Sequence, residues 1–215
     1  YRCVRVLAGE TDPDLAPILE GVKTIGVLSS TNIQPASGVD VEKVMGRLTD
    51  ATARGLENLH DRRILSQDEI RWPFRDAVLD STAIFGDSLT TALQQELEID
   101  ALVYVTLRGL QAQMTPVSPS PYGAVPTPGV NLSVELHLEL VNLHSGKRWS
   151  QEGRRSSWEP MQVDLLGGGR DRTEQQLMGA LAAPLRQFLA RVAPPPSRET
   201  RQFDSCGVPR TRFAP

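Results

Sequence analysis

Strict alternation of apolar and polar residues marks one segment near the middle of the chain. From Leu132 to Leu140 every second residue is leucine or valine, and the residues between them are polar. A period of two predicts a strand with one face in the core and the other in water. The polar positions of this strand are Ser133, Glu135, His137 and Glu139.

Two further strands accompany this segment. Residues 101–107 form an apolar run before it, and residues 148–155 follow it after the turn-forming pair Ser145-Gly146. The second and third of these strands therefore form a hairpin. A water-exposed face favours antiparallel pairing, because parallel strands are usually buried on both faces.

The preceding part of the chain predicts two strands and a helix between them. Residues 23–29 are typical of a central strand, and residues 62–66 predict a short strand at an edge of the sheet. Helical spacing of apolar residues over 41–59 predicts the helix. Ser37 and Asp40 resemble a capping box at its start.

Two more helices follow from spacing. Residues 67–84 show no regular pattern, whereas leucines four residues apart predict a second helix from Phe85 that ends before Asp100. An apolar stripe over 177–192 predicts a third helix, and Pro184 inside it should kink the helix or split it in two.

These elements predict an α/β (α+β) fold: a mixed sheet of about five strands with a C-terminal antiparallel hairpin, packed by three helices. We expect this domain at residues 23–192, between an irregular N-terminal extension (1–22) and a C-terminal tail (193–215). A proline-rich insert at 115–129 separates two of the strands. Its five prolines preclude a regular helix. The insert is either a hairpin loop or an arm that contacts a partner.

The insert and the polar strand face are the candidate partner-binding surfaces. Their residues are Pro119, Pro121, Tyr122 and Pro126 on the insert, and Glu135, His137 and Glu139 on the strand.

Charge and hydropathy exclude several classes of partner. A formal net charge of −3 gives no electrostatic reason to expect nucleic acid. No apolar run reaches the roughly 18 residues of a membrane helix. The first residues lack the apolar core of a signal peptide. We therefore expect either a cytosolic protein or a mature chain whose leader has been removed.

The chain has two cysteines, Cys3 and Cys206. They are either free thiols or a disulfide that joins the two termini in an oxidising compartment. A third interpretation is that Cys3 corresponds to the lipidated cysteine of a bacterial lipoprotein, although two residues precede it here.

Motifs that would indicate a metal site, a phosphate-binding loop or a catalytic site are weak in this sequence. Glu135, His137 and Glu139 have a spacing at which side chains could converge on a metal ion, but a solvated strand face has the same composition, so we predict no metal site. The loop Gly167–Arg172 precedes a helix and is either a flexible connector or the phosphate-binding loop of a ligand- or nucleotide-binding enzyme domain. No nucleophile motif or acid–base pair emerges from the sequence. We predict no catalytic residues and no cofactor.

The order of elements, together with three segments, resembles the bacterial periplasmic α/β domain family of TolB (amino-terminal domain), CsgG and PelC. The segments are Lys23–Asn32, Ile99–Gly109 and Leu138–Ser150, the last with a hairpin turn followed by Trp149. The resemblance covers about residues 22–192. It implies a non-enzymatic assembly role in the cell envelope: a secretion accessory, a ring component or a scaffold.

From this resemblance we expect a periplasmic protein that is either free or peripherally associated with the outer membrane. Its expected partners are other envelope proteins within a secretion or motor complex, and copies of itself in a homo-oligomer. Of the interpretations of the two cysteines, we predict the disulfide between Cys3 and Cys206.

Overall fold

The computed structural model describes residues 2–7, 9–31, 40–74, 87–115, 129–160 and 172–202. In these ranges the strands are β1 (Arg2–Leu7), β2 (Thr24–Thr31), β3 (Arg63–Leu65), β4 (Ala101–Thr115), β5 (Gly129–Asn142), β6 (Arg148–Pro160) and β7 (Ser197–Gln202). The helices are α1 (Ala16–Leu19), α2 (Val41–Leu56), α3 (Gln67–Arg71), α4 (Asp87–Leu97) and α5 (Arg172–Val192), with a short 3-10 helix at Pro13–Leu15.

Five strands form one mixed sheet in the order β3-β2-β4-β5-β6. Strand β2 lies between β3 and β4 and is parallel to both, and β4, β5 and β6 are antiparallel neighbours. The predicted fold class, the edge position of β3 and the C-terminal hairpin are thus confirmed. In the hairpin turn Gly146 has a φ of +67°, a left-handed conformation that glycine adopts without the penalty of a side chain.

The larger core lies on the leucine face of β5. The apolar side chains of β5, β2 and β4 on this face pack against α1, α2 and α5. At the end of α5 the Phe188 ring stacks on Trp149 of β6, with centroids 5.5 Å apart. Aromatic pairs in this geometry contribute beyond the area that they bury.

Helix α5 runs from Arg172 to Val192 with Pro184 inside it, so the predicted split does not occur. Pro184 is buried against Gly153 of β6, so closely that a Cβ at Gly153 would clash with the Cβ of the proline. Packing of the ring on the sheet offsets the backbone hydrogen bond that proline cannot donate.

A smaller core lies on the opposite face, over β2 and β4. Leu28 and Tyr104 of the strands pack there against Ile70 of α3 and Leu93 of α4. Helix α3 begins with a capping box in which Ser66 and Glu69 bond reciprocally. This helix was not predicted from the sequence, because a helix of five residues is too short to show a helical period.

Helix α2 begins after Asp40, whose carboxylate accepts a hydrogen bond from the backbone N–H of Lys43 at 3.0 Å. Asp40 is therefore the N-cap, and Ser37 lies outside the described residues.

Both terminal segments contain regular structure, where the sequence predicted an irregular extension and a tail. Strands β1 and β7 pair antiparallel, from Arg2 opposite Gln202 to Leu7 opposite Ser197. Neither strand shows a strong alternation of apolar and polar residues, and each pairs with a strand from the other end of the chain. Next to this ribbon, the Arg191 side chain donates to Asp12 at 2.7 Å, which fastens the N-terminal segment to the end of α5.

Candidate functional site

The polar side of β5 lies on the sheet face opposite the larger core, as its alternation predicts. The side chains of Glu135, His137 and Glu139 are 28%, 12% and 17% exposed. The leucines between them are buried among α1, α2 and α5. One strand thus supplies both the core and a row of ionisable groups.

Arginines from the flanking strands face this row. Arg154 of β6 lies opposite Glu135 and donates to its Oε1 at 3.0 Å. Arg148 lies 3.9 Å from Glu139. On the other side of the row, Arg108 of β4 bonds to Glu152 of β6. We call these seven residues the charged face: Arg108, Glu135, His137, Glu139, Arg148, Glu152 and Arg154.

Arg108 owes its position to a β-bulge. Leu107 lies opposite Leu136 and Gly109 lies opposite Glu135, so Arg108 is the extra residue of β4. A Cβ on Gly109 would lie 3.2 Å from the Cβ of Glu135, so the glycine makes room at the bulge. Bulges re-aim a side chain out of the regular ladder.

His137 lies at the centre of the charged face. Its Nδ1 is 3.5 Å from Glu152 Oε1, and its Nε2 is 4.0 Å from Glu139 Oε2. Burial lowers the pKa of His137 below its usual range, and the charge of Arg108 lowers it further, against the opposing effect of the two glutamates. The imidazole is therefore held neutral at neutral pH.

The outer part of the charged face is open to solvent. The side chains of Arg108, Arg148, Glu152 and Arg154 are 44%, 51%, 49% and 74% exposed. Among the described residues, the smaller core covers β2 and β4 and does not extend over β5 and β6. The half-buried Leu143, after β5, packs against its border. Three arginines and three glutamates therefore form a paired, nearly neutral array with partly exposed ends.

The carboxylates of this array face arginines rather than one another. Among the residues that the structure describes, no cluster of histidine, cysteine, aspartate and glutamate could hold a metal ion.

A second polar cluster, around Asp100, holds one end of the sheet together. The Asp100 Oδ2 accepts from the backbone N–H groups of Lys23 and Thr24 at 2.7 and 3.0 Å, and Oδ1 lies 2.8 Å from His144 Nε2. In the adjoining turn Asn142 Oδ1 accepts from the backbone N–H groups of His144 and Ser145. Asp100 therefore joins the start of β2, the start of β4 and the β5–β6 turn.

Burial raises the pKa of Asp100, but hydrogen bonds from His144, Lys23 and Thr24 outweigh it, so the pKa lies below its usual value. No contact of His144 was predicted from the sequence. Asp100 and His144 are 44 residues apart, and no local pattern reports their contact.

The arginines and Glu152 of the charged face were also missed. Arg148, Ser150, Glu152 and Arg154 alternate along the predicted third strand, so their shared face was readable from the sequence. Arg108 gives no alternation signal of its own, because its place depends on the bulge, which the sequence reports only through the spacing of Leu107 and Leu110.

Several predicted site residues lie outside the described residues. They include the insert residues Pro119, Pro121, Tyr122 and Pro126, most of the Gly167–Arg172 loop, and Cys206. Cys3 lies in β1 opposite Arg201. The disulfide and the partner-binding role of the insert stay predictions.

In the part of the chain that the structure describes, none of the helices has both the length and the apolar character needed to cross a bilayer. No protein-family model matches the sequence, and neither does any curated protein.

Solved structures of bacterial envelope proteins are similar to this chain. A lipoprotein from Neisseria meningitidis is 16% identical, with 77% of this chain and 99% of that chain covered and a TM-score of 0.43. The PelC dodecamer from Paraburkholderia phytofirmans is 16% identical, with 86% and 97% covered and a TM-score of 0.39. The C-terminal domain of LpoB from Salmonella enterica is 13% identical, with 66% and 90% covered and a TM-score of 0.36. Membership of the TolB/CsgG/PelC family stays a prediction.

Proposed function

We propose that this protein is a non-enzymatic assembly or scaffold protein of the bacterial periplasm that binds other envelope proteins through its charged face. Its place is in a multi-protein secretion or motor complex, as a homo-oligomer that forms a ring, with peripheral association to the outer membrane. The resemblance of the segments around Lys23, Ile99 and Leu138 to the TolB/CsgG/PelC domains supports the envelope role.

The charged face is the observation that carries the binding role. Exposed ion pairs contribute only about 0–1 kcal/mol each to folding stability. An array of six alternating charges around His137 is therefore a weak stabilising device. Such an array is effective in recognition, because complementary charges select a partner and fix its register, whereas mismatched charges are costly.

The geometry also supports a non-enzymatic role. The carboxylates of Glu135 and Glu152 each bond to an arginine. A general base needs an accessible proton acceptor within hydrogen-bond reach of its substrate. On this face two of the three carboxylates, those of Glu135 and Glu152, are engaged within the protein.

Charge reversal tests the proposal. Arg154→Glu places a carboxylate opposite Glu135 and disrupts the face at a side chain that is 74% exposed. Arg186→Glu is the matched control. It makes the same change of charge at an exposed position of α5, on the side of the sheet that carries the larger core.

Both variants would be produced with an epitope tag in the native cell, fractionated, cross-linked in the periplasm and sized without denaturation. We expect wild type and Arg186→Glu to give a discrete oligomer and the same cross-linked envelope proteins. Arg154→Glu should lose those products while it keeps the circular dichroism spectrum of wild type. A wild-type protein that is monomeric and free of cross-links would refute the proposal, as would a loss that is equal in both variants.

A further inference from the structure

Strand β6 is the last strand of the five-stranded sheet, and among the described residues no strand pairs with its outer side. It runs for 13 residues, Arg148–Pro160, without a bulge in its pairing to β5. The edge strand at the other end of the sheet, β3, has only three residues. A long, regular edge strand is a template for pairing with another chain, so β6 is a candidate interaction surface.

The outward hydrogen-bonding groups of β6 follow from the phase of the hairpin. The backbone N–H of Asn142 donates to the carbonyl of Lys147 at 2.9 Å. Because the backbone groups of successive residues point alternately to the two sides of a strand, the odd-numbered residues of β6 from Trp149 onward bond to β5. The even-numbered residues from Ser150 to Ser156 therefore direct their N–H and C=O groups outward. These four residues are exposed.

The charges along this edge are self-complementary. When a second copy of β6 runs antiparallel to the first about a two-fold axis at Gly153, Glu152 of each copy lies opposite Arg154 of the other. On the other side of the sheet Gln151 lies opposite Arg155, and Gly153 places no side chain on the axis. Opposite charges on directly facing residues stabilise a pair of strands, whereas like charges destabilise it.

The neighbouring registers bring like charges together. An axis one residue away, at Glu152 or at Arg154, places that residue opposite itself. An axis two residues away places Arg148 opposite Arg154 in one direction, and Arg155 opposite itself in the other. Of these five registers, only the one centred on Gly153 pairs opposite charges and no like charges.

The same register continues the charge pattern of each chain across the axis. Within one copy Arg154 bonds to Glu135, and Glu152 bonds to Arg108. Across the axis Arg154 meets Glu152 of the second copy. The charges then alternate in sign from Glu135 of one chain to Arg108 of the other.

Helix α5 leaves room for this pairing. It packs against β5 and β6 to a similar extent, so its axis lies between them and inside the edge. Its copy across the two-fold axis is then about two strand spacings, roughly 10 Å, away, and packed helices lie about 8–10 Å apart.

We propose that β6 pairs with β6 of a second copy of this chain, antiparallel about Gly153, so that the two sheets become one. This interface rests on the homo-oligomer of the proposed function and assigns one of its contacts. The contact is edge to edge, so the charged face of both copies stays open to other envelope proteins. A two-fold contact closes on itself, so it joins two chains or two rings and forms no open filament.

Cysteine pairs test the register in the purified whole chain, in a Cys3→Ser/Cys206→Ser background. Ser150 faces Ser156 of the second copy with Cα atoms about 5.5 Å apart, which is within disulfide range. A mixture of Ser150→Cys and Ser156→Cys proteins should form a disulfide-linked dimer on mild oxidation. Each variant alone should form at least about tenfold less, because the two copies of one position lie about 20 Å apart. No cross-link in the mixture, or equal cross-linking in a single variant, overturns the proposal.

Charge variants test the complementarity with the native cysteines in place. Wild type should self-associate through this edge with a Kd of about 1–100 µM in sedimentation equilibrium. Arg154→Glu and Glu152→Arg should each weaken the association about tenfold or more, because like charges then face each other twice. The double variant restores opposite charges and should recover the wild-type Kd to within about threefold, and Arg186→Glu should leave it unchanged. A wild-type chain that is monomeric at about 500 µM, or a double variant as weak as the single ones, overturns the interface.

The double variant also separates this interface from the proposed function. It restores the pairs across the axis but places like charges beside Glu135 and Arg108 within each chain. We therefore expect it to keep self-association and to lose the cross-linked envelope proteins. Envelope cross-links in wild type without the disulfide-linked dimer of the cysteine mixture would refute the interface alone. The disulfide-linked dimer without envelope cross-links would support the interface and refute the binding of envelope proteins.

Discussion

Asp100 should contribute more to folding stability than a typical aspartate that is 20% exposed. Its carboxylate accepts from two backbone N–H groups and lies 2.8 Å from the ring of His144. Hydrogen bonds to a charged group contribute about 1.5–3 kcal/mol each, but these three share one acceptor and water can replace part of them. For Asp100→Ala we expect a loss of about 2–4 kcal/mol in the free energy of unfolding.

Asp100→Asn separates the charge from the geometry. The single oxygen of the amide can still accept from the backbone N–H groups of Lys23 and Thr24. Its NH₂ group can donate to the ring of His144 when that ring is neutral. This variant should lose about 1–2 kcal/mol at neutral pH, because hydrogen bonds to a neutral acceptor are weaker.

The stability difference between wild type and Asp100→Asn should change with pH in a direction that the pKa of Asp100 defines. The folded-state pKa of Asp100 is depressed, so its stabilisation is fully present above the unfolded value of about 3.9 and is lost as the pH falls through the folded pKa. The stability difference between wild type and Asp100→Asn should therefore shrink below about pH 4.

Urea denaturation followed by circular dichroism, at several pH values, measures both effects. A loss of less than about 0.5 kcal/mol in Asp100→Ala would place Asp100 among ordinary surface residues and refute the role of the cluster. A difference between wild type and Asp100→Asn that stays constant down to about pH 2 would show that the charge makes no contribution.

Two other predictions concern the packing of α5 and the charged face. Gly153→Ala should lose about 1–3 kcal/mol in urea denaturation, because its Cβ would clash with Pro184. Gly179→Ala, in open space on α5, should instead gain up to about 1 kcal/mol, and equal effects of the two changes would contradict this packing. In an NMR titration His137 should show a pKa below about 6.5, because burial and Arg108 lower it. Arg108→Gln should raise that pKa, and an unchanged or lower value would exclude the arginine as a cause.

The fold and three of the seven residues of the charged face were predictable because their signals are local. Alternation along β5 places Leu136 in the core and His137 opposite it with no knowledge of the other strands. The hairpin follows from a turn pair between two such strands. The open polar row depends on a period of two, and the fold class depends on that period together with apolar runs and helical spacing, each read within a single segment of the chain.

What the sequence did not predict depends on contacts between distant segments. The β1–β7 ribbon joins the two ends of the chain, and near it Thr11 bonds to Val192, 181 residues away. Short polar strands such as β7 are stabilised by their partner rather than by their own propensity. The contact between Asp100 and His144 is of the same kind, because turn geometry and strand register bring them together.

The bulge in β4 shows how core packing and the charged face constrain one another. Up to Leu107, the odd-numbered residues of β4 face the larger core; beyond the bulge the even-numbered Leu110 packs against that core instead. A regular strand would turn Leu110 toward the charged face and leave a gap in the core. One extra residue keeps the apolar phase on the helix side and leaves Arg108 displaced outward, within reach of Glu152. The phase change is visible in the sequence as the spacing of three between Leu107 and Leu110, so apolar phase, read residue by residue, locates a charged group of the candidate site.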